Sequence, residues 1–210
     1  MKYQPDIHHR RSIRLKGYDY SQENAYFVTI CTHNKRCLFG EIEDGKMLLN
    51  PAGLATIKWY QELSNKFTGL ECHEFVCMPN HIHFIVQINH TETVNRIDIP
   101  TIVQWYKTMT TNEYIRGVKQ NNWQPFNGRL WQRNYWERVV RNENEFNHIR
   151  DYIQTNPKRW EQDKLYIDQP EQTVEADLRV RPIQPTNHIN PSVGAHPCVR
   201  PNARYLLEID

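Results

Sequence analysis

An α+β ferredoxin-like sandwich, an antiparallel sheet with helices packed on it, is the fold class this sequence predicts. β-branched and aromatic runs alternate with stretches of helical period in the order strand, hairpin, helix, strand, strand, helix, strand, helix. The core of that order, strand–helix–strand followed by strand–helix–strand, is the split βαβ arrangement. Beyond Trp160, prolines at 170, 182, 185, 191, 197 and 201 punctuate a stretch without periodicity, expected to be linker or disorder. Three segments follow: a basic N-terminal arm over 1–21, a ferredoxin-like domain over 22–162 and a poorly ordered C-terminal tail over 163–210.

Asn24–Thr32 (NAYFVTICT) is rich in β formers and reads as the first strand. Arg36–Ile42 and Met47–Leu49 flank an Asp44-Gly45 turn and form a short hairpin. Asn50 is a good N-cap and Pro51 a good first helical residue, so a helix opens there. Leu54, Ile57, Tyr60 and Leu63 carry its period to about Phe67. Leu70–Cys77 is a strand that turns through Met78-Pro79-Asn80 directly into His81–Ile88. Ile99–Val118 places Ile102, Val103, Trp105, Tyr106, Met109, Tyr114 and Ile115 at helical spacing, with polar and basic residues opposite. Arg129–Val140 mixes aromatics with arginines and reads as the fourth core strand. The last helix begins at Asn142 with Glu145 three residues on, buries Phe146, Ile149 and Ile153, and stops near Asn156 because Pro157 disfavours helical geometry before it.

The 210 residues carry 26 basic and 24 acidic side chains, a net charge of +2 that by itself announces no polyanionic partner. Its distribution says more. His8–Lys16 is a basic arm with Tyr3, Tyr18 and Tyr20 around it, suited either to a flexible tail or to the phosphates and bases of a nucleic-acid strand. Five cysteines form no Cys-x-x-Cys pair, which fits reduced thiols in a cytoplasmic protein. No apolar run reaches the length of a membrane span, and no signal-peptide core opens the chain, so no membrane association is expected.

The chemistry gathers on two elements. Residues i and i+2 of a strand share a face, so His81 and His83 stand side by side, about 6–7 Å apart at the backbone, and can converge on one divalent cation. On the last helix Tyr152 lies on the rim of the buried stripe, with Asn156 one turn on.

Taken together these blocks resemble the HUH endonucleases. His81-Ile82-His83 matches their His-hydrophobic-His motif, and Tyr152–Pro157 (YIQTNP) looks like their nucleophile helix. The Met78–His83 wording is similar to that of single-tyrosine transposases of bacterial insertion sequences. Gly17–Tyr20 (GYDY) and Trp131–Glu137 (WQRNYWE) resemble the REP-associated tyrosine transposase branch. The resemblance spans roughly residues 8–160 and implies a transposase that nicks and rejoins single-stranded or hairpin DNA through a 5′-phosphotyrosine on Tyr152. It implies Mg²⁺ or Mn²⁺ held by His81, His83 and Asn156, where insertion-sequence relatives carry a glutamine one methylene longer. Arg10, Arg11, Arg14, Lys16, Tyr18, Trp131, Arg133 and Arg138 are the expected DNA-contacting residues, and a short tetranucleotide beside a palindromic hairpin the expected target. At least two of Trp131, Tyr135 and Trp136 are expected to pack inside. Relatives act as monomers or homodimers, and a cytoplasmic protein that joins the nucleoid when bound to DNA is expected.

Two other readings compete. Cys72, His73, Cys77, His81 and His83 could hold structural zinc, although Cys72 and Cys77 differ by an odd number and face opposite sides of a strand. A non-catalytic nucleic-acid-binding module could use the same aromatics and arginines on a ferredoxin-like sheet.

Overall fold

The structure, a computed structural model, describes residues 17–89 and 97–167. Arg10, Arg11, Arg14 and Lys16 lie outside the described residues, as does the tail beyond 167.

Among the described residues six strands and three α-helices follow the expected order: β1 Asn24–Cys31, β2 Gly40–Glu43, β3 Lys46–Leu49, α1 Pro51–Lys66, β4 Leu70–Met78, β5 His81–Ile88, α2 Ile99–Gln120, β6 Trp136–Val140 and α3 Glu143–Thr155. The four core strands form one antiparallel sheet in the order β4-β5-β1-β6, with β2 and β3 as a separate hairpin. With the hairpin set aside, this is the ferredoxin-like order in which the third core strand lies between the first and the second.

Alternation along the strands divides the core in two. Tyr26, Val28 and Ile30 of β1 and Ile82, Phe84 and Val86 of β5 point to the face covered by α1 and α2, where Leu63, Ile102, Tyr106 and Tyr114 complete a large apolar cluster. Full burial of each such side chain contributes about 1.5–3 kcal/mol, so this face carries most of the stability. The opposite face is covered by α3 through a small cluster of Ile85, Val140, Ile149 and Ile153. His81 and His83 lie on the same face.

Helix starts follow the sequence signals. Asn50 Oδ1 accepts from Gly53 N at 2.9 Å, Asp98 Oδ1 from Thr101 N at 2.8 Å and Asn142 Oδ1 from Glu145 N at 2.9 Å, each occupying an otherwise free first-turn donor.

The fourth core strand is shorter than the sequence suggests. Only Trp136–Val140 pairs with β1, while Trp131 makes a lone bridge to Thr32. Lys107 of α2 explains the break: its Nζ donates to the carbonyls of Gln132, Arg133 and Asn134 at 2.9, 3.3 and 3.3 Å, turning them away from a ladder. Trp131 and Tyr135 drop into the α1/α2 core, and Trp131 Nε1 donates to Thr110 Oγ1 at 2.9 Å. Trp131, expected at the DNA surface, is therefore a core residue whose indole donor is already taken. Among the described residues no helix is long and apolar enough to cross a membrane.

Candidate active site

Pairing sets the site. His83 lies opposite Thr29, and His81 opposite Cys31, so both imidazoles rise from the α3 face of the sheet. His81 Nδ1 lies 2.8 Å from Asn80 Oδ1, and Asn80 Nδ2 donates to the carbonyls of Lys35 and Leu165 at 3.1 and 2.9 Å. An amide whose nitrogen is so engaged must accept through its oxygen, so His81 carries its proton on Nδ1 and a lone pair on Nε2. His83 Nδ1 lies 2.7 Å from Thr29 Oγ1, a hydroxyl able to donate or accept. The two Nε2 atoms face each other at 3.0 Å. Two lone pairs at that distance repel, so either a proton on His83 Nε2 or a cation must sit between the rings.

Both rings are buried, and burial holds His81 down to about 3 and His83 well below the ordinary histidine value. They are neutral donors at neutral pH, the form a metal requires.

α3 brings Tyr152 over this pair. Its hydroxyl lies 3.3 Å from His83 Nε2, and its ring meets His83 and Phe27 edge-on, while Phe27 stacks on His83. At 37 % exposure it is the part of the constellation that reaches solvent, as its rim position on the helix predicts. Burial first, and the Asp163 carboxylate second, raise its phenol to about 12.

Asp163 is the residue sequence reasoning missed. It follows a 3-10 segment, Pro157–Gln162, that folds back from α3, with Trp160 packed 5.8 Å from the His81 ring. Asp163 Oδ2 accepts from the Tyr152 hydroxyl at 3.3 Å and from Asn156 Nδ2 at 3.1 Å, and Oδ1 accepts from Leu165 N at 2.7 Å. One nitrogen each from His81 and His83 and one Asp163 oxygen lie within 4.8 Å of one another. Asn156 is 1 % exposed, and its Oδ1 has no hydrogen-bond partner. Such an atom normally costs about 1–3 kcal/mol, and an amide oxygen with its lone pairs unused is a chemically suitable metal ligand. Two facing imidazole nitrogens, a carboxylate and an orphaned amide oxygen fit a divalent cation.

The other expected residues scatter. Tyr18 is half-buried, edge-on to Tyr20, and its hydroxyl accepts from Asn24 Nδ2 at 3.3 Å. Arg133 is exposed in a groove beside α2. Arg138 lies opposite Phe27 on the active face and is ion-paired with Glu145. The cysteines join no metal cluster among the described residues: Cys77 lies in the α1/α2 core, and the Cys72 thiol faces the Tyr60 carbonyl of α1. That disposition removes the basis for a cysteine–histidine zinc module.

A ferredoxin-like sheet that sets paired histidines beneath a helix-borne tyrosine defines an HUH tyrosine nuclease. The chain belongs to the family described as "Transposase IS200 like", whose model matches residues 21–156. It is 39 % identical to an uncharacterized protein of Haemophilus influenzae, over 80 % of this chain and 98 % of that one. In fold it is similar to a REP-associated tyrosine transposase solved bound to a REP hairpin, with TM-score 0.51 and 19 % identity, covering 69 % of this chain and 73 % of that one.

Proposed function

We propose that this transposase cleaves and rejoins single-stranded DNA at the foot of a hairpin through a 5′-phosphotyrosine on Tyr152. The observation that carries the reading is the Tyr152 hydroxyl 3.3 Å from His83 Nε2, itself 3.0 Å from His81 Nε2. His81, His83 and Asp163 would hold Mg²⁺ or Mn²⁺, with Asn156 Oδ1 as a further donor. When bound, the cation neutralises charge on the phosphate and on the departing oxygen. Tyr152 Oη forms the bond to phosphorus as the bond to the 3′-oxygen breaks. The phenolic proton leaves along the hydrogen bond to Asp163, and the 3′-oxygen gains a proton, so the step is neutral overall. Because the phosphotyrosine keeps the phosphodiester's energy, attack by a second 3′-hydroxyl rejoins strands without ATP.

The test is a labelled hairpin oligonucleotide, built on an imperfect palindrome from DNA flanking the gene and incubated with Mn²⁺. A covalent protein–DNA adduct that Tyr152→Phe cannot form supports the reading. A gel shift with no adduct from unsubstituted protein would favour the non-catalytic binding module instead.

A further inference from the structure

His81 is closed off on the side of the Pro157–Tyr166 segment, by Trp160 over its ring and by the Asn80–Leu165 hydrogen bond. Tyr152 opens instead into a cleft that it shares with Arg138 of β6. Three features of that edge point the same way.

First, Trp136 lies opposite Thr29, which lies opposite His83, so the three side chains form one row across the active face. Two strand spacings put Trp136 about 10 Å from His83. Second, Trp136 is 45 % exposed and makes no ring contact among the described residues, whereas Trp131 and Tyr135 are buried. A large indole left open on a sheet edge contributes little to the core. Third, Arg138 stands two residues on, about 7 Å along the same face. It borders a cleft of about 650 Å³ lined by Phe27, Arg141, His148 and Tyr152, which ends at the nucleophile.

We propose that Trp136 is a stacking platform for an unpaired base flanking the scissile phosphate, and that Arg138 contacts the adjoining phosphodiester as the strand enters this cleft. An aromatic face beside a cationic side chain matches the alternating base and phosphate of a single strand, and stacking tolerates any base. The Arg138–Glu145 ion pair keeps the guanidinium on the cleft wall until a phosphate replaces the carboxylate. This inference rests on the single-strand reading given above.

The test uses a fluorescent dT20 oligonucleotide and protein carrying Tyr152→Phe, so that binding is read without cleavage. Trp136→Ala is expected to weaken binding between about 5- and 100-fold, with Trp136→Phe retaining most of the affinity. Arg138→Gln is expected to lower the slope of log affinity against log salt by about 0.7. Irradiating an oligonucleotide of 5-iododeoxyuridine should cross-link Trp136 itself, a readout that needs no substitution. Unchanged affinity of Trp136→Ala, or cross-links confined to the groove beside α2, overturns the inference even if the Tyr152 adduct forms. An absent adduct together with Trp136-dependent dT20 binding would instead overturn the cleavage reading and leave this one standing.

Discussion

Asn156 donates from Nδ2 to Asp163 Oδ2 at 3.1 Å, and the Tyr152 hydroxyl meets the same oxygen at 3.3 Å. The last helix and its C-cap thus aim the proposed nucleophile and an amide at one carboxylate, seven residues beyond Asn156. One oxygen of that carboxylate lies within 4.8 Å of a nitrogen of His81 and of His83, the donor set proposed above for a divalent cation.

Metal affinity should follow this geometry. Asp163→Asn removes the one anionic donor and is expected to weaken Mn²⁺ binding by about 10- to 100-fold, with Asn156→Ala costing about tenfold through loss of its amide oxygen and of its hydrogen bond to Asp163. Titration calorimetry or the Mn²⁺ paramagnetic signal reads this directly. Asp163→Asn binding Mn²⁺ as the unsubstituted protein does, while His81→Ala abolishes it, would remove Asp163 from the site.

The histidine pair was legible because strand periodicity alone puts residues 81 and 83 on one face, and the helix caps because Asn50 and Asn142 stand where first-turn donors need an acceptor. Asp163 left no such trace. Its position depends on how Trp160 and Leu165 settle against His81 and Asn80, contacts far apart in sequence. The fourth strand was overextended for a related reason: its aromatic alternation is strand-like, but Lys107 from α2 claims the carbonyls a ladder would use. Of the three aromatics there, the sequence could predict that most would be buried but not that Trp136 would be the one left open.

Tyr152→Phe separates chemistry from stability. The hydroxyl sits on the rim, and its contacts with His83 and Asp163 are long, so its loss is expected to shift stability by about 1 kcal/mol or less. DNA affinity should persist while adduct formation disappears. A denaturant midpoint, a dT20 titration and a gel under denaturing conditions make the comparison, and an adduct surviving in the variant would place the nucleophile elsewhere.

The buried imidazoles should make the metal-free protein acid-sensitive. Burial keeps His81 neutral down to about 3, against 6.5 ordinarily, and lowers His83 in the same direction. Below about 6.5 the unfolded chain takes up protons that the folded chain refuses, so the stabilisation is complete above that pH and is lost as pH falls. Each histidine gives a slope of up to about 1.4 kcal/mol per pH unit within the window. Urea midpoints in EDTA should drop between about pH 7 and about pH 5, and His81→Asn should flatten the dependence. Equal slopes with and without the substitution would show that His81 is not held neutral.

The helix that carries Tyr152, the proposed nucleophile, should be the first part of the domain to loosen. Only Ile149 and Ile153 of α3 are fully buried, against Ile85 and Val140 of the sheet, whereas α1 and α2 share a much larger cluster. Local opening follows local apolar burial, so amides of α3 should exchange with solvent faster than those of β1 and β5. Ile153→Ala, at a side chain 1 % exposed, is expected to cost about 2–5 kcal/mol, and Ile153→Val about 0.5–1.5. Because Tyr152 is the neighbouring residue, the alanine variant should slow adduct formation more than it weakens dT20 binding, which depends on the edge strand β6. Hydrogen exchange resolved by mass spectrometry provides the check: α3 protection that matches the central strands, in either protein, would mean the helix is held by more than this small cluster.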